Sequence, residues 1–406
     1  MKDVKPDRAI DTATTEAVTT VQQMPTGELT LAVDEERLPL DQLIGFAARA
    51  NAKRGFLFLS KVLGKHWPAE PRQMEAIHID LASQIPRDLP GPVVFIALAE
   101  TAIGLGQGVF EAYLETHPEQ QALFLHSSRY RVGSVPFFEF EESHSHAPRQ
   151  FLHLSSEASA LFASARSLVL VDDEASTGNT FVNLASVCRA RYPQIERLHL
   201  ALITNFMGQQ ANCALSERFG LPTTIGASLS GNYSFKAGLA PAALQAIQHA
   251  APAQRFEADA ERGASAAFGR IGLRHALAAP KALALTLAEQ IDADASVLVL
   301  GTGEFMHPAF LLARELAALG KKVAVQSTTR SPILTWGAVA HVICIPDNYG
   351  EGIANYLYNV SHKQYKHVFI CHETPLNPAL KQLASALDGR LFHFQSETQI
   401  EEIPVR

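Results

Sequence analysis

Residues 168–180 read Leu-Val-Leu-Val-Asp-Asp-Glu-Ala-Ser-Thr-Gly-Asn-Thr, and the fold follows from this stretch. Four apolar residues, Leu168 to Val171, suit a short strand buried on both faces. Asp172 and Asp173 stand at its C-terminal end. A small polar loop runs from Ala175 to Thr180, with Gly178 and the hydroxyls of Ser176, Thr177 and Thr180. Phe181, Leu184 and Cys188 then recur at helical spacing, so a helix is expected from Asn179 or Thr180. Strand, acid pair, small-residue loop and helix together predict an α/β fold.

The same order makes a site for a phosphorylated sugar. Glycine lets the backbone approach a phosphate, and N–H groups of the loop and first helical turn point at it. The hydroxyls add donors without bulk. Two carboxylates can accept hydrogen bonds from the vicinal hydroxyls of a ribose. A Walker-type loop is excluded, because no lysine follows the glycine. Taken alone, a strand ending in an acid pair also suits a phosphatase or nucleotide hydrolase, with Asp172 as nucleophile or metal ligand.

Leu168–Thr180 resembles the phosphoribosyl-pyrophosphate (PRPP) motif of type I phosphoribosyltransferases. The resemblance implies that Asp172 and Asp173 hold the ribose 2′ and 3′ hydroxyls. It implies that Ala175, Ser176, Thr177, Gly178, Asn179 and Thr180 hold the 5′-phosphate, with Glu174 beside them. Mg²⁺ would ride on PRPP and reach Asp172 and Asp173 indirectly, through water. The implied fold is a parallel sheet with a flexible hood.

The bulk numbers agree with a multi-domain globular chain. At 406 residues, two or more domains are expected. A net charge of −7 argues against a broad basic surface for nucleic acid. Cys188, Cys213, Cys344 and Cys371 form no close pair, which fits a reducing cytoplasm. No apolar run approaches the roughly 20 residues that span a bilayer. Residues 1–27 are expected to form a mobile tail.

Downstream, Leu38 to Ala50 carries helical spacing. An apolar strand within Arg54–Pro68 is framed by Arg54, Lys61, Lys65 and His66, which read either as solvated ends or as charges for a pyrophosphate. Val93–Leu98 predicts a strand that runs into Ala99-Glu100-Thr101-Ala102-Ile103-Gly104 and a helix. In type I phosphoribosyltransferases this loop contacts pyrophosphate, often with a basic residue. Here it carries Glu100 and no base. Glu100 reads either as a helix-capping acid or as a group meeting the second substrate or a metal. Thr101 and Ala102 fall within the implied PRPP site.

Ala122–His126 predicts a third strand. Arg129 and Arg131 follow it, at the edge where open α/β sheets bind ligands. Val132–Gln150 is expected to be the hood, and His144 and His146 within it could share one side of an extended segment as metal ligands. Leu198–Thr204 predicts a further strand, and Leu221–Phe235 the closing edge of the first domain.

A second α/β unit is expected from Leu283. Strands are predicted at Ser296–Leu300, Lys322–Gln326, His341–Pro346 and Lys366–Cys371, making a Rossmann-like sheet with polar clusters at its C-terminal edge. Thr329-Arg330-Ser331-Pro332, with Gly301–Pro308 and Asp347–Gly352, resembles the TRSP domain. That domain follows an orotate-phosphoribosyltransferase-like domain in proteins of bacterial tellurite-resistance and stress gene neighbourhoods. The first domain fits that group through Lys53–His66, Ala99–Gly106 and Glu141–Ala147.

The expected organisation is a phosphoribosyltransferase-like domain at 28–236, a crossing at 237–280 and a TRSP domain at 281–406. Glu100, Arg129 and Lys61 are the expected catalytic residues. Gly301, Gly303, Glu304, Thr329, Arg330, Ser331 and Asp347 are expected to form a second ligand site. The function implied is Mg²⁺-assisted phosphoribosyl transfer from PRPP to a base-like acceptor. Making a nucleoside-like or nucleotide-like metabolite would follow. The alternative is a non-catalytic PRPP or nucleotide sensor. Expected partners are small molecules, enzymes of the same biosynthetic neighbourhood and a second copy of the chain, but neither nucleic acid nor membrane.

Overall fold

Leu168–Val171 are at most 1% exposed, because the strand that contains them, Ser167–Ala175, lies inside a seven-stranded sheet. The structure is a computed structural model that describes residues 18–49, 51, 54–141, 149–238 and 265–404. On one side Ser167–Ala175 pairs in parallel with Val93–Ala97, which pairs in turn with Ala122–His126. On the other side it pairs in parallel with Arg197–Asn205, followed by Thr223–Ala237. Continuous apolar runs suit such strands, since helices cover both faces. The expected parallel sheet is present.

Three readings of the first half are corrected. Val18–Met24, expected in the mobile tail, pairs antiparallel with Gly27–Glu36 as a hairpin. Gly27–Glu36 then pairs antiparallel with Thr223–Ala237, so that strand is internal and not the closing edge. Alternation buries Leu29, Leu31 and Val33 on one face. The helical spacing of Leu38–Ala50 yields only a short helix, Leu40–Leu43. Ile44–Ala48 is a strand instead, paired antiparallel with the fully buried Phe56–Ser60. Cross-strand pairing here overrides a weak helical pattern.

The second half forms a five-stranded sheet. Ser296–Gly301 lies between Lys322–Ser327 and His367–His372, all parallel, with Arg390–Phe394 and the antiparallel Ile400–Ile403 beyond. Val342–Pro346, expected in this sheet, pairs instead with Ala354–Tyr358 as a separate two-stranded unit. The short loop between those two strands forces the antiparallel hairpin.

The two halves share one apolar core. A single cluster of buried side chains includes Phe95 and Val171 of the first sheet, and Val299, Leu312 and Phe369 of the second. Helices Pro71–Ser83, Ile103–Thr116 and His307–Ala318 pack together between them. Of the expected crossing, residues 239–264 lie outside the described residues. Its remainder lies along the first sheet, where Leu273 exchanges backbone hydrogen bonds with Phe124 at 2.7 and 2.9 Å. Among the described residues no helix is long and apolar enough to cross a membrane.

Arg270 sits at the centre of the junction. Its side chain is 2% exposed, and its guanidinium reaches Glu304 at 3.1 Å and Glu373 at 2.8 Å, both carboxylates 0% exposed. Removing one member of such a cluster leaves uncompensated buried charge. Arg270→Met is therefore expected to destabilise the protein by about 3–5 kcal/mol. Urea unfolding checks this, and an unchanged midpoint would refute it.

Candidate active site

The candidate site lies where neighbouring strands end at different heights. Val93–Ala97 pairs with the central strand only as far as Val171, whereas Arg197–Asn205 continues along it to Ala175. Beyond Val171 one side of the central strand is thus uncovered, and Asp172, Asp173 and Glu174 emerge there, half-buried. The chain then turns at Gly178, whose φ of +73° is costly for other residues. A Cβ at that position would also meet the Met207 sulfur at 2.8 Å. The helix starts at Asn179, as expected, and runs to Arg191. Its first N–H groups have no intrahelical acceptor and face the loop.

Arg218 braces this loop. One of its terminal nitrogens donates to the Thr177 carbonyl at 2.9 Å and to Asn179 Oδ1 at 3.0 Å. The Asp173 N–H donates to Asp172 Oδ1 at 2.9 Å. Burial, with help from Glu174, pushes the Asp173 carboxyl up to about 6. Glu174 is ion-paired with Arg54. Arg49, on the same hairpin as Arg54, donates to Ser331 Oγ of the second half at 2.9 Å.

The Ala99–Gly104 loop borders the open side of this site. Glu100 is met by the ammonium of Lys65 at 2.7 Å, with the Lys65 side chain 0% exposed. Burial opposes ionisation of Glu100, but Lys65, Arg330 and Arg129 hold its carboxyl below the usual range. Lys65 also donates to the Gly303 carbonyl at 2.6 Å. Thr101 and Ala102 lead from Glu100 into the helix Ile103–Thr116. Arg129 joins this group, its Nη2 donating to the Ala99 carbonyl at 3.2 Å. Glu100 and Arg129 are therefore brought together.

Lys61, expected as a catalytic residue, is not among the residues that meet Glu100 here. Its ammonium donates to the Asp41 carbonyl at 2.7 Å and lies 5.7 Å from the Trp67 ring centroid. The chain bends after Ser60, sending Lys61 and Lys65 to different places. Arg131 also leaves, pairing with Glu139 at 3.2 Å. Within the expected hood, Phe137–Glu141 and Arg149–His153 form a hairpin. His144 and His146 lie outside the described residues.

The second-half candidates meet the first site. Glu304 accepts from the Ser128 hydroxyl at 2.7 Å and from the Arg129 N–H at 2.6 Å. With Arg270 also bound, its carboxylate is engaged by the chain itself. Asp347 is likewise engaged, accepting from the N–H groups of Glu351 and Ile353 at 3.3 and 3.2 Å. The Gly303 N–H donates to Thr328 Oγ1 at 2.9 Å, the Thr328 N–H to the Gly301 carbonyl at 3.2 Å, and the Thr329 N–H to the Tyr356 carbonyl at 2.9 Å. Arg330 stacks on Tyr130, 4.3 Å from its ring centroid.

Residues 43–232 match a family model described as phosphoribosyl transferase, and residues 268–387 match one described as a TRSP domain C-terminal to it. The chain is a phosphoribosyltransferase-family domain followed by a TRSP domain. Similar solved structures include adenine phosphoribosyltransferase from Trypanosoma brucei, at 12% identity, covering 48% of this chain and 82% of that one, with a TM-score of 0.34. The Rhodothermus marinus adenine enzyme is 13% identical over 46% of this chain and 95% of its own, with a TM-score of 0.30. Orotate phosphoribosyltransferase from Francisella tularensis is 13% identical over 43% and 72%, with a TM-score of 0.27. Among curated protein sequences none matches.

Two cations at the candidate site, Arg49 and Arg218, have no counterpart in the sequence reading, whereas Arg54 and Lys65 are among the residues it offers as charges for a pyrophosphate. Arg54 and Lys65 carried a signal, since both frame an apolar strand. Arg49 and Arg218 carried none, because nothing in their local spacing points to residues far along the chain. The site should respond to pH through Asp173, whose negative charge is lost as pH falls through about 6. Glu174→Gln removes a neighbouring negative charge and frees Arg54, so Asp173 should titrate at lower pH. Carboxyl-carbon NMR titration measures this, and an unmoved or raised midpoint would contradict it.

Proposed function

We propose that the chain transfers a phosphoribosyl group from PRPP to a base-like acceptor. The observation that carries this reading is the uncovered end of the central strand, where paired carboxylates face a glycine-turned loop and a helix start. In the proposed arrangement Asp172 and Asp173 accept hydrogen bonds from the ribose hydroxyls. Ala175 to Thr180, held by Arg218, encloses the 5′-phosphate. Arg129 stabilises departing pyrophosphate. An acceptor ring nitrogen then bonds to C1 as the C1–O bond breaks. Pyrophosphate leaves with the electron pair, and the acceptor's N–H proton passes to it or to solvent. The paired strands Phe137–Glu141 and Arg149–His153 would limit water, which otherwise hydrolyses the donor.

The donor set suits Mg²⁺. Among the described residues no group of three His, Cys, Asp or Glu side chains is placed to hold a metal. Two adjacent hard carboxylates fit an ion that keeps much of its water and binds substrate oxygens. Bound there with PRPP, Mg²⁺ would neutralise part of the donor's negative charge. We extend the proposal to a nucleoside-like product in bacterial stress or tellurite resistance, on the TRSP resemblance alone.

The loop at Ala99–Gly104 also favours a second reading, a non-catalytic PRPP sensor, since its one charged group is already neutralised by Lys65. Calorimetric titration with Mg–PRPP, followed by a pyrophosphate-release assay with pooled metabolites, separates the two. The transferase reading expects binding and release, with both lost in Asp172→Asn/Asp173→Asn while circular dichroism is unchanged. Binding without release supports the sensor. Wild-type turnover in the double variant would exclude the assigned roles.

A further inference from the structure

The pyrophosphate of PRPP carries several negative charges in a small volume and needs fixed cations beside it. The Ala99–Gly104 loop, which borders the site, supplies an acid and no base. Lys65 cannot make up the deficit. Its side chain is 0% exposed, and its ammonium is held by Glu100 at 2.7 Å and by the Gly303 carbonyl at 2.6 Å. Lys65 and Glu100 therefore cancel, and the loop presents almost no net charge to an anion.

A cation does reach this place from the second domain. Arg330 follows the strand Lys322–Ser327, and its side chain is 12% exposed. Its guanidinium lies over Tyr130, which stacks by its ring on Tyr349 with centroids 4.2 Å apart and planes 23° apart. Tyr130 is the neighbour of Arg129, whose guanidinium touches the carbonyl just before Glu100. Arg330 and Arg129 both act on the Glu100 carboxyl, so the two guanidinium groups come together at this loop. The stack holds the planar fork in a set orientation, as bidentate phosphate recognition requires. Arg330 Nε has no hydrogen-bond partner. Its counter-ion is Glu351 at 3.1 Å, on a side chain 26% exposed, whereas Asp347 is 3.8 Å away and engaged by backbone N–H groups. An incoming anion can displace a partly exposed carboxylate more easily than a buried one.

We propose that Arg330 of the TRSP domain binds the pyrophosphate of PRPP, supplying in this chain the positive charge that the Ala99–Gly104 loop lacks. The inference rests on the phosphoribosyl-transfer reading and deepens it. The tetrapeptide Thr329–Pro332 then belongs to the transferase site and not to a separate ligand site. Its neighbour Ser331 accepts from Arg49, which lies on the hairpin that carries the partner of Glu174, so the tetrapeptide spans from the acid end of the site to the pyrophosphate end.

The test uses the full chain and three probes: Mg–PRPP, Mg–pyrophosphate and ribose 5-phosphate. Arg330→Gln keeps the side-chain stem over Tyr130, and Arg330→Lys keeps the charge. The expected result is a loss of about 10- to 100-fold in affinity for Mg–PRPP and Mg–pyrophosphate in Arg330→Gln, the scale of a charge-assisted hydrogen bond. Arg330→Lys should recover part of that loss. Ribose 5-phosphate, which lacks the pyrophosphate, should bind both variants like wild type. Unchanged pyrophosphate affinity in Arg330→Gln would overturn the inference while leaving the phosphoribosyl reading standing. Equal loss for all three probes would make Arg330 a structural clasp and overturn it as well. Wild-type protein that bound none of the probes would remove the reading and the inference together.

Discussion

The buried guanidinium of Arg270 is the constraint on which the architecture turns. It lies between two carboxylates with no access to water, and each of those carboxylates holds something else. Glu373 accepts from the Tyr349 hydroxyl at 2.9 Å, and Tyr349 stacks on Tyr130. Glu304 accepts from Ser128 and Arg129 at the end of a first-sheet strand. An ion cluster of this kind is a weak source of net stability but a strict one for geometry, since every alternative packing leaves a charge unpaired in an apolar core. The ends of two sheets are therefore held in one register.

That register explains why the candidate site has walls from both halves of the chain. One wall is the strand end of the phosphoribosyltransferase domain, with its acid pair and glycine turn. The other is the loop edge of the TRSP domain, with Arg330 stacked and Ser331 bonded to Arg49. Between them Glu100 and Lys65 form a neutral pair that joins the two, because the lysine also donates to Gly303. Few side chains here have freedom to reorganise, and a preorganised polar environment is what developing charge requires.

Much of this was legible in the sequence where the signal was local. The central strand, its acid pair and the loop to Thr180 are consecutive, and continuous apolar runs marked most of the parallel strands. Helical spacing misled at Leu38–Ala50, where pairing with Phe56–Ser60 prevailed over periodicity. The polar Val18–Thr26 resembles a tail in sequence because alternation in an edge hairpin leaves half its residues polar. Lys61 and Lys65 are four positions apart and chemically alike. Only the burial of Lys65 against Glu100 distinguishes them, and burial depends on residues more than two hundred positions away. The fusion of the two candidate sites was invisible for the same reason. Each looked complete as a strand end with polar residues, and no spacing rule relates Glu304 to Arg129.

The clasp also has a consequence for how the protein comes into being. Arg270 meets Glu373 across 103 positions, and Arg129 meets Glu304 across 175. During synthesis the first sheet emerges well before its braces, and such long-range closures are slow relative to local folding. A nascent or truncated chain thus carries the Ala175–Thr180 loop without the partner wall. The strand end at Asp172 is therefore made well before Glu304 and Glu373, the residues that join it to the second sheet.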